Sequence, residues 1–214
     1  MNSKAHPTAR HLNVFFTTFA WLMVMTICPS DAVAQWGGAV RGQMGFGGDK
    51  LASVQYSDGS ESDLKLGTYF SFTAGPVVEV WASGPNALEL QGMVGWSGWS
   101  TGPENTDDRL KLNRFPVELL AFYGYRIPSR DMMLRVGGGV TYHIGGGVSG
   151  SGSFDGLDIG IDNALGGTGE VAVVFGILAA GLRYTHMSNT VEGTPASLDA
   201  SSVGLFLGLT TPRN

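Results

Sequence analysis

The sequence predicts an all-β fold: an eight-stranded antiparallel up-and-down β-barrel of the transmembrane kind, preceded by a cleaved signal peptide. Three observations predict it. Apolar residues alternate with polar or small ones at a period of two, connections alternate between long and very short, and charges fall on the face opposite the apolar one. A water-soluble sandwich shows the reverse, with charge outside and apolar side chains within. A barrel in lipid turns that pattern inside out.

Residues 1–34 stand apart from the fold. Lys4 and Arg10 form a positive n-region, Val14 to Ile27 an apolar h-region, and Ala32-Val33-Ala34 a small-x-small cleavage site before Gln35. The reading is a secretory signal peptide over 1–34 and one barrel domain over 35–214. Cleavage would remove Cys28, the chain's one cysteine. Past Gln35 no run reaches the ~18 apolar residues of a membrane helix, so a chain of this kind crosses a bilayer only as a closed sheet. With 13 Lys+Arg against 18 Asp+Glu, nucleic acid is not an expected partner. Glycine, at 33 of 214 residues, is about twice its average usage, which suits tight turns and a crowded barrel interior.

The strands follow in order. Gly37 to Phe46 puts Val40, Met44 and Phe46 on one face and Arg41 on the other. Leu66 to Ala82 opposes Phe70, Phe72, Val78 and Val80 to Glu79, and Ala87 to Ser97 opposes Leu88, Leu90, Val94 and Trp96 to Glu89. Leu112 to Arg126 is the clearest, with Phe115, Val117, Leu119, Ala121, Tyr123 and Tyr125 against Glu118. Its hairpin partner, Met132 to Ile144, sets Leu134, Val136, Val140, Tyr142 and Ile144 against Arg135 and His143. Thr168 to Phe175 carries Val171, Val173 and Phe175 opposite Glu170. Leu178 to Ser188 carries Leu182 and Tyr184 opposite Arg183, and Ser201 to Thr210 shows Val203, Leu205, Leu207 and Leu209 with no opposing charge.

Between these strands, Ser83 to Asn86, Ile127 to Asp131 and Gly176-Ile177 are short. Gly47 to Lys65, Gly98 to Lys111, Gly145 to Gly167 and Asn189 to Ala200 are long. That alternation places turns at the periplasmic end and loops outside. Four Glu and three Arg on the inward faces are expected to neutralise one another as an internal salt-bridge network, because an unpaired charge there is costly. Such a network plugs a barrel whose bore only side chains can fill. Trp36, Trp81, Trp96, Trp99, Tyr123, Tyr125, Tyr142 and Tyr184 near strand ends suit interface girdles.

Chemistry is sparse. The acidic loop residues Asp58, Glu61 and Asp63, and Asp155, Asp158 and Asp162, match no calcium loop and read as solvated. Gly137 to Gly139 and Gly145 to Gly147 lack the helix and lysine of a phosphate loop. Neither a cofactor nor a metal is expected. On the strand from Leu178 to Ser188, parity sends His186 and Ser188 outward, beside a long loop. A histidine near a serine on one face can take the hydroxyl proton and make a nucleophile for an ester. Asp199 shares the outward parity of the last strand and is the available acid; Glu192, within the loop, is a poorer choice.

The chain from 35 onward resembles the small eight-stranded outer-membrane barrels, the superfamily of OmpA-type transmembrane domains, OmpX and opacity-type proteins. Locally, His186-Met187-Ser188-Asn189 after Arg183-Tyr184 looks like the His-x-Ser-Asn motif of the lipid A 3-O-deacylases. That resemblance implies Ser188 as nucleophile, His186 as its base and Asn189 as an oxyanion donor, with Pro195 where the family often has a proline. The family's acid lies about fourteen residues after the histidine. Here that position is Ala200, and Asp199 precedes it by one.

Two functions are therefore expected. The first is an outer-membrane barrel of a Gram-negative bacterium, with a plugged polar interior and external loops for surface interaction or envelope integrity. The alternative is a lipid A acyl-ester hydrolase acting in the outer leaflet through Ser188 and His186. In either case the partners are outer-membrane lipid and lipopolysaccharide.

Overall fold

The computed structural model describes residues 35–211, except 56–58, 60, 103–107, 129 and 192–196. The signal-peptide reading of 1–34 lies outside these residues, as do Asp58, Glu192 and Pro195. The strands are β1 Gln35–Phe46, β2 Lys50–Gln55, β3 Glu61–Lys65, β4 Tyr69–Ser83, β5 Asn86–Thr101 and β6 Arg109–Arg126. They continue as β7 Met132–Ser151, β8 Asp158–Gly160, β9 Ala164–Phe175, β10 Leu178–Thr190, β11 Ser197–Asp199 and β12 Ser202–Thr210. Eight of them close an antiparallel ring in the order β1-β4-β5-β6-β7-β9-β10-β12, with β12 pairing back onto β1. These are the eight strands of the sequence pattern, in an all-β barrel with sequential connections.

The ring outgrows the pattern at its long-loop end. The β6–β7 ladder continues past a register shift at Arg114/Phe115 up to Arg109↔Ser151. Glycines at 145–147 carry no apolar alternation, so that extension left no signal. Loops also carry short strands: β2 and β3 form a hairpin, β8 pairs with β7, and β11 pairs with β10. At the other end the turns are tight, and Gly84 (φ +56°) and Gly176 (φ +55°) take the left-handed conformation that two-residue hairpins need.

Burial follows the predicted parity. Val40, Phe72, Val94, Leu119, Val136, Val171, Leu182 and Leu205 are exposed on the outer wall, while Arg41, Glu79, Glu89, Glu118, Arg135, Glu170 and Arg183 are buried. Arg114 shares the parity of Glu118 and is buried as well, a charge that the alternation had not counted. Of the aromatics, Trp36, Trp81, Trp96, Tyr123, Tyr125, Tyr142 and Tyr184 are exposed on the same wall, whereas Trp99 is half-buried against an apolar cluster.

Inside, the charges pair across the bore. Arg183 donates to Glu118 (2.5 and 3.0 Å) and to Glu170 (2.9 Å), and Arg41 donates to the same Glu170 oxygen at 2.5 Å and to Gln91 at 3.2 Å. Arg135 reaches Glu89 at 3.5 Å, and Arg126 pairs with Glu79. Arg183 on β10 and Glu118 on β6, like Arg41 on β1 and Glu170 on β9, are three strand steps apart around the ring, so these two contacts span the bore, whereas Arg183 and Glu170 face each other on neighbouring strands. Arg41 also stacks on Phe206, and Arg135 on Phe122, with guanidinium carbons 4.6 and 4.4 Å from the ring centroids.

Toward the long loops the interior turns apolar. Leu64 and Leu66, from the β2–β3 hairpin and its exit, pack with Leu110, Leu112, Val148, Ile161, Ala164, Met187 and Ala200. The first long loop is thus folded inward over the mouth of the barrel. Glycine permits the crossing: a Cβ on Gly67 would lie 2.2 Å from the Ser201 carbonyl oxygen and 2.7 Å from the Gly47 carbonyl carbon.

Candidate functional site at the rim of β10

The outer apolar wall ends at Tyr184 on β10 and at Val203, which faces it on β12. One step further toward the long loops the outward positions become His186 and Ser201, then Ser188 and Asp199. His186 and Ser188 are exposed on β10, as expected from parity, and Asp199 is exposed on β11. Antiparallel pairing sets Ser188 directly opposite Asp199 and Thr185 opposite Ser202, so His186 stands beside Ser201. Four polar side chains from two neighbouring segments therefore share one outward patch, with Ser201 only half-buried.

Within the patch, the imidazole meets the serine across the strand rather than the one along it. His186 Nδ1 lies 3.0 Å from Ser201 Oγ, and among the described residues no hydrogen bond joins His186 to Ser188. Geometry accounts for this. Residues i and i+2 on one strand are separated by about 6.6 Å, while side chains opposite each other start about 5 Å apart. The expected His186–Ser188 pair thus shares one face, with no hydrogen bond between its members among the described residues. Asn189, its neighbour in the motif, is 2 % exposed and faces the interior, because adjacent strand residues point to opposite faces. Its side chain is not brought to the face of His186 and Ser188.

Asp199 is held by several hydrogen bonds. Its Oδ1 accepts the Ser201 N–H at 2.9 Å, and its own N–H donates to Asp49 Oδ2 at 2.8 Å. The Asp49 N–H donates in return to the Asp199 carbonyl at 2.7 Å, and the Asp49 carbonyl accepts from Leu66 N–H at 3.0 Å. Asp49 therefore clips the first long loop to the rim and fixes Asp199. Hydrogen bonds from the Ser201 hydroxyl and then the Ser201 amide, aided by His186 nearby, hold the Asp199 carboxyl below its usual range against a small opposing effect of burial. Ser201 and Asp49 were not singled out as site residues in the sequence. Ser201 was accessible through parity and pairing with His186; nothing local marks Asp49.

Elsewhere, two of the acidic loop residues, Glu61 and Asp63, share a cationic partner. Lys50 bridges Glu61 at 3.0 Å and Asp63 at 2.7 Å across the β2–β3 hairpin, and Ser53 donates to Asp63 at 2.8 Å. His143 is inward and buried, with no hydrogen-bond partner for Nδ1 among the described residues.

No family model and no curated protein matches this chain. Among solved structures, the crystal structure of Neisserial surface protein A matches with a TM-score of 0.52 at 15% identity, over 85% of this chain and 100% of that one. At such identity the likeness is one of fold. The ring of eight strands, the apolar outer wall and this match together establish the fold as an eight-stranded antiparallel up-and-down β-barrel of the transmembrane kind.

Proposed function

We propose that this protein is exported by an N-terminal signal peptide and inserts in the outer membrane of a Gram-negative bacterium. There it acts as a solute-tight barrel whose external loops serve surface interaction or envelope integrity, in contact with outer-membrane lipid and lipopolysaccharide. The observation that carries this reading is the cross-bore set Arg41, Glu170, Arg183 and Glu118, whose side chains are at most 4% exposed. Side chains that meet across an eight-stranded bore leave no room for a water column. The apolar cluster beneath the first long loop supports the same reading from the other end. Purified protein in planar bilayers should show no steady conductance, and a stable open level in the wild type would overturn the solute-tight reading. In a deletion strain, a version with residues 50–65 replaced by a short Gly-Ser turn should insert normally yet fail to restore detergent resistance; full restoration would remove the loop from the function.

A second reading is favoured by the outward patch of His186, Ser188 and Asp199. In it, Ser188 Oγ attacks the carbonyl carbon of a lipid A acyl ester while His186 accepts the hydroxyl proton and returns it to the departing alcohol. Water then hydrolyses the acyl-Ser188 ester. The position of the patch, immediately beyond the apolar wall, is where headgroup esters meet a barrel. Mass spectrometry of lipid A from cells expressing the wild type or Ser188→Ala is the test. Loss of an acyl chain only with the wild type supports hydrolysis; identical acylation dismisses it.

A further inference from the structure

We propose that Arg114 is the cationic centre of an internal binding site for a small monovalent inorganic anion of the halide class, enclosed between the cross-bore ion pairs and the apolar cluster beneath the first long loop. Such a site depends on neither functional reading above. On the inward faces, among the described residues, Arg41, Arg126, Arg135 and Arg183 each meet a glutamate, and Glu79, Glu89, Glu118 and Glu170 are all taken up in those pairs. Arg114 is left over.

Its residue is 3% exposed, and among the described residues its Nε and Nη2 have no hydrogen-bond partner. A buried lysine or carboxyl group can neutralise itself by losing or gaining a proton, whereas a guanidinium keeps its proton inside proteins. The charge stays, and a buried charge without a counter-ion is strongly destabilising. Along β6 the next inward carboxylate, that of Glu118, lies beyond Pro116 and is already held by Arg183. In the other direction the next inward residue is Leu112, a member of the apolar cluster. Neither side of the strand offers Arg114 a free carboxylate.

What surrounds Arg114 is a set of neutral donors. Antiparallel register sets Gln43 opposite Ser71, Ser71 opposite Ser97 and Ser97 opposite Arg114, so one inward row crosses β1, β4, β5 and β6. His143, opposite Pro116 on β7, stands diagonally across the β6–β7 ladder from Arg114. All five residues are buried, and Gln43 Oε1, Ser71 Oγ and His143 Nδ1 share with Arg114 the lack of a hydrogen-bond partner among the described residues. A hydroxyl, a side-chain amide and an imidazole can each turn an O–H or N–H toward an anion. Tyr69, on the same face of β4 as Ser71, adds a neutral phenol and no charge near pH 7. The two residues paired with Arg114 are the short Ser97 and Gly146, which suits a single small ion. One surplus positive charge calls for one negative charge, and Glu118 further along the strand opposes a second. Because the ion pairs close one side and the leucine cluster the other, the anion is captured as the barrel closes and is not conducted.

Crystals of the folded barrel grown with bromide as the halide should show an anomalous peak in the bore within about 3.5 Å of Arg114 Nε or Nη2. No peak there, or a carboxylate paired with Arg114, overturns the site. In solution, urea titrations in lipid vesicles compare chloride with gluconate at equal ionic strength, which keeps general screening the same. An anion that binds only the folded barrel multiplies the folding equilibrium by one plus its concentration over its dissociation constant, about tenfold when chloride is at about ten times that constant. The wild type should show this chloride increment and Arg114→Met should lose it. Equal stability of the wild type in both salts, or an undiminished increment in Arg114→Met, overturns the proposal. Should Arg114→Met not fold, Ser71→Ala/His143→Phe removes two donors and keeps the guanidinium, and it should lower the increment; an unchanged increment in that variant overturns the site as well.

Discussion

Replacing Arg183 by methionine should be among the most damaging single changes in the barrel wall. Arg183 is the ion partner of Glu118, whose other side-chain hydrogen bond among the described residues comes from the Thr141 hydroxyl at 3.5 Å, and it shares Glu170 with Arg41. In the wild type, two arginines face two glutamates across this part of the bore. Arg183→Met leaves two carboxylates and one guanidinium, so one buried negative charge has no counter-ion. Removing one partner of a buried ion pair costs about 3–5 kcal/mol, mainly through the charge left behind. That is at least about a hundredfold in the folding equilibrium.

Two companions make the reasoning specific. Arg41→Met leaves the same net charge, but Glu118 and Glu170 both keep their hydrogen bonds to Arg183, so its cost should be smaller, about 1.5–3 kcal/mol, the worth of a hydrogen bond to a charged group. Glu118→Leu/Arg183→Met removes both members of one pair and restores balance between Arg41 and Glu170. The double variant should therefore be more stable than Arg183→Met alone by about 2 kcal/mol or more. Urea titration of tryptophan fluorescence in lipid vesicles, with midpoint and slope fitted together, measures all three. A value for Arg183→Met within about 0.5 kcal/mol of the wild type, or a double variant no more stable than Arg183→Met alone, would refute the cross-bore pairing.

Other outcomes follow from the long-loop end. Gly67→Ala would put a Cβ 2.2 Å from the Ser201 carbonyl oxygen. Backbone on both sides cannot yield, so a loss of about 1–3 kcal/mol in the same titration is expected, with faster proteolysis of the β2–β3 hairpin. In that hairpin, Glu61 is held below its usual range by hydrogen bonds from Ser53 and Lys50, and Asp63 by hydrogen bonds from Lys50 and Ser53. The Lys50 ammonium is pushed up by Asp63 and Glu61. The carboxylates contribute above their unfolded pKa values and lose that contribution as pH falls through the depressed folded ones; Lys50 contributes until pH rises through its raised value. Carboxyl-carbon NMR should show both acids titrating lower than in unfolded peptide, and Lys50→Ala should move both upward. Unmoved titrations would remove the cluster.

The barrel was largely legible before its structure because lipid and bore impose opposite demands on successive residues. Phe115, Val117, Leu119, Ala121, Tyr123 and Tyr125 keep one apolar face without a break, and Tyr184 and Arg183 had to face opposite ways. The loops were less legible. The stretch from Gly47 to Lys65 reads as a polar connection, yet it forms the β2–β3 hairpin, and its Leu64, with Leu66 from the expected start of the next strand, enters a core built from five other segments. An isolated leucine in a polar stretch has no period to betray it. Arg114 escaped notice in the same way, at the start of an extension whose facing partner strand is rich in glycine.

Sequence alone determined which side of the wall each strand residue occupies, since a period of two requires only local backbone geometry. It thereby sent seven charges inward and His186, Ser188 and Asp199 outward. Pairings were decided by the closed ring. Arg183 meets Glu118 across three strand steps, and His186 meets Ser201 rather than Ser188, because register between β10 and its neighbour sets which side chains stand about 5 Å apart. Parity is written along one strand, whereas a partner is a property of two.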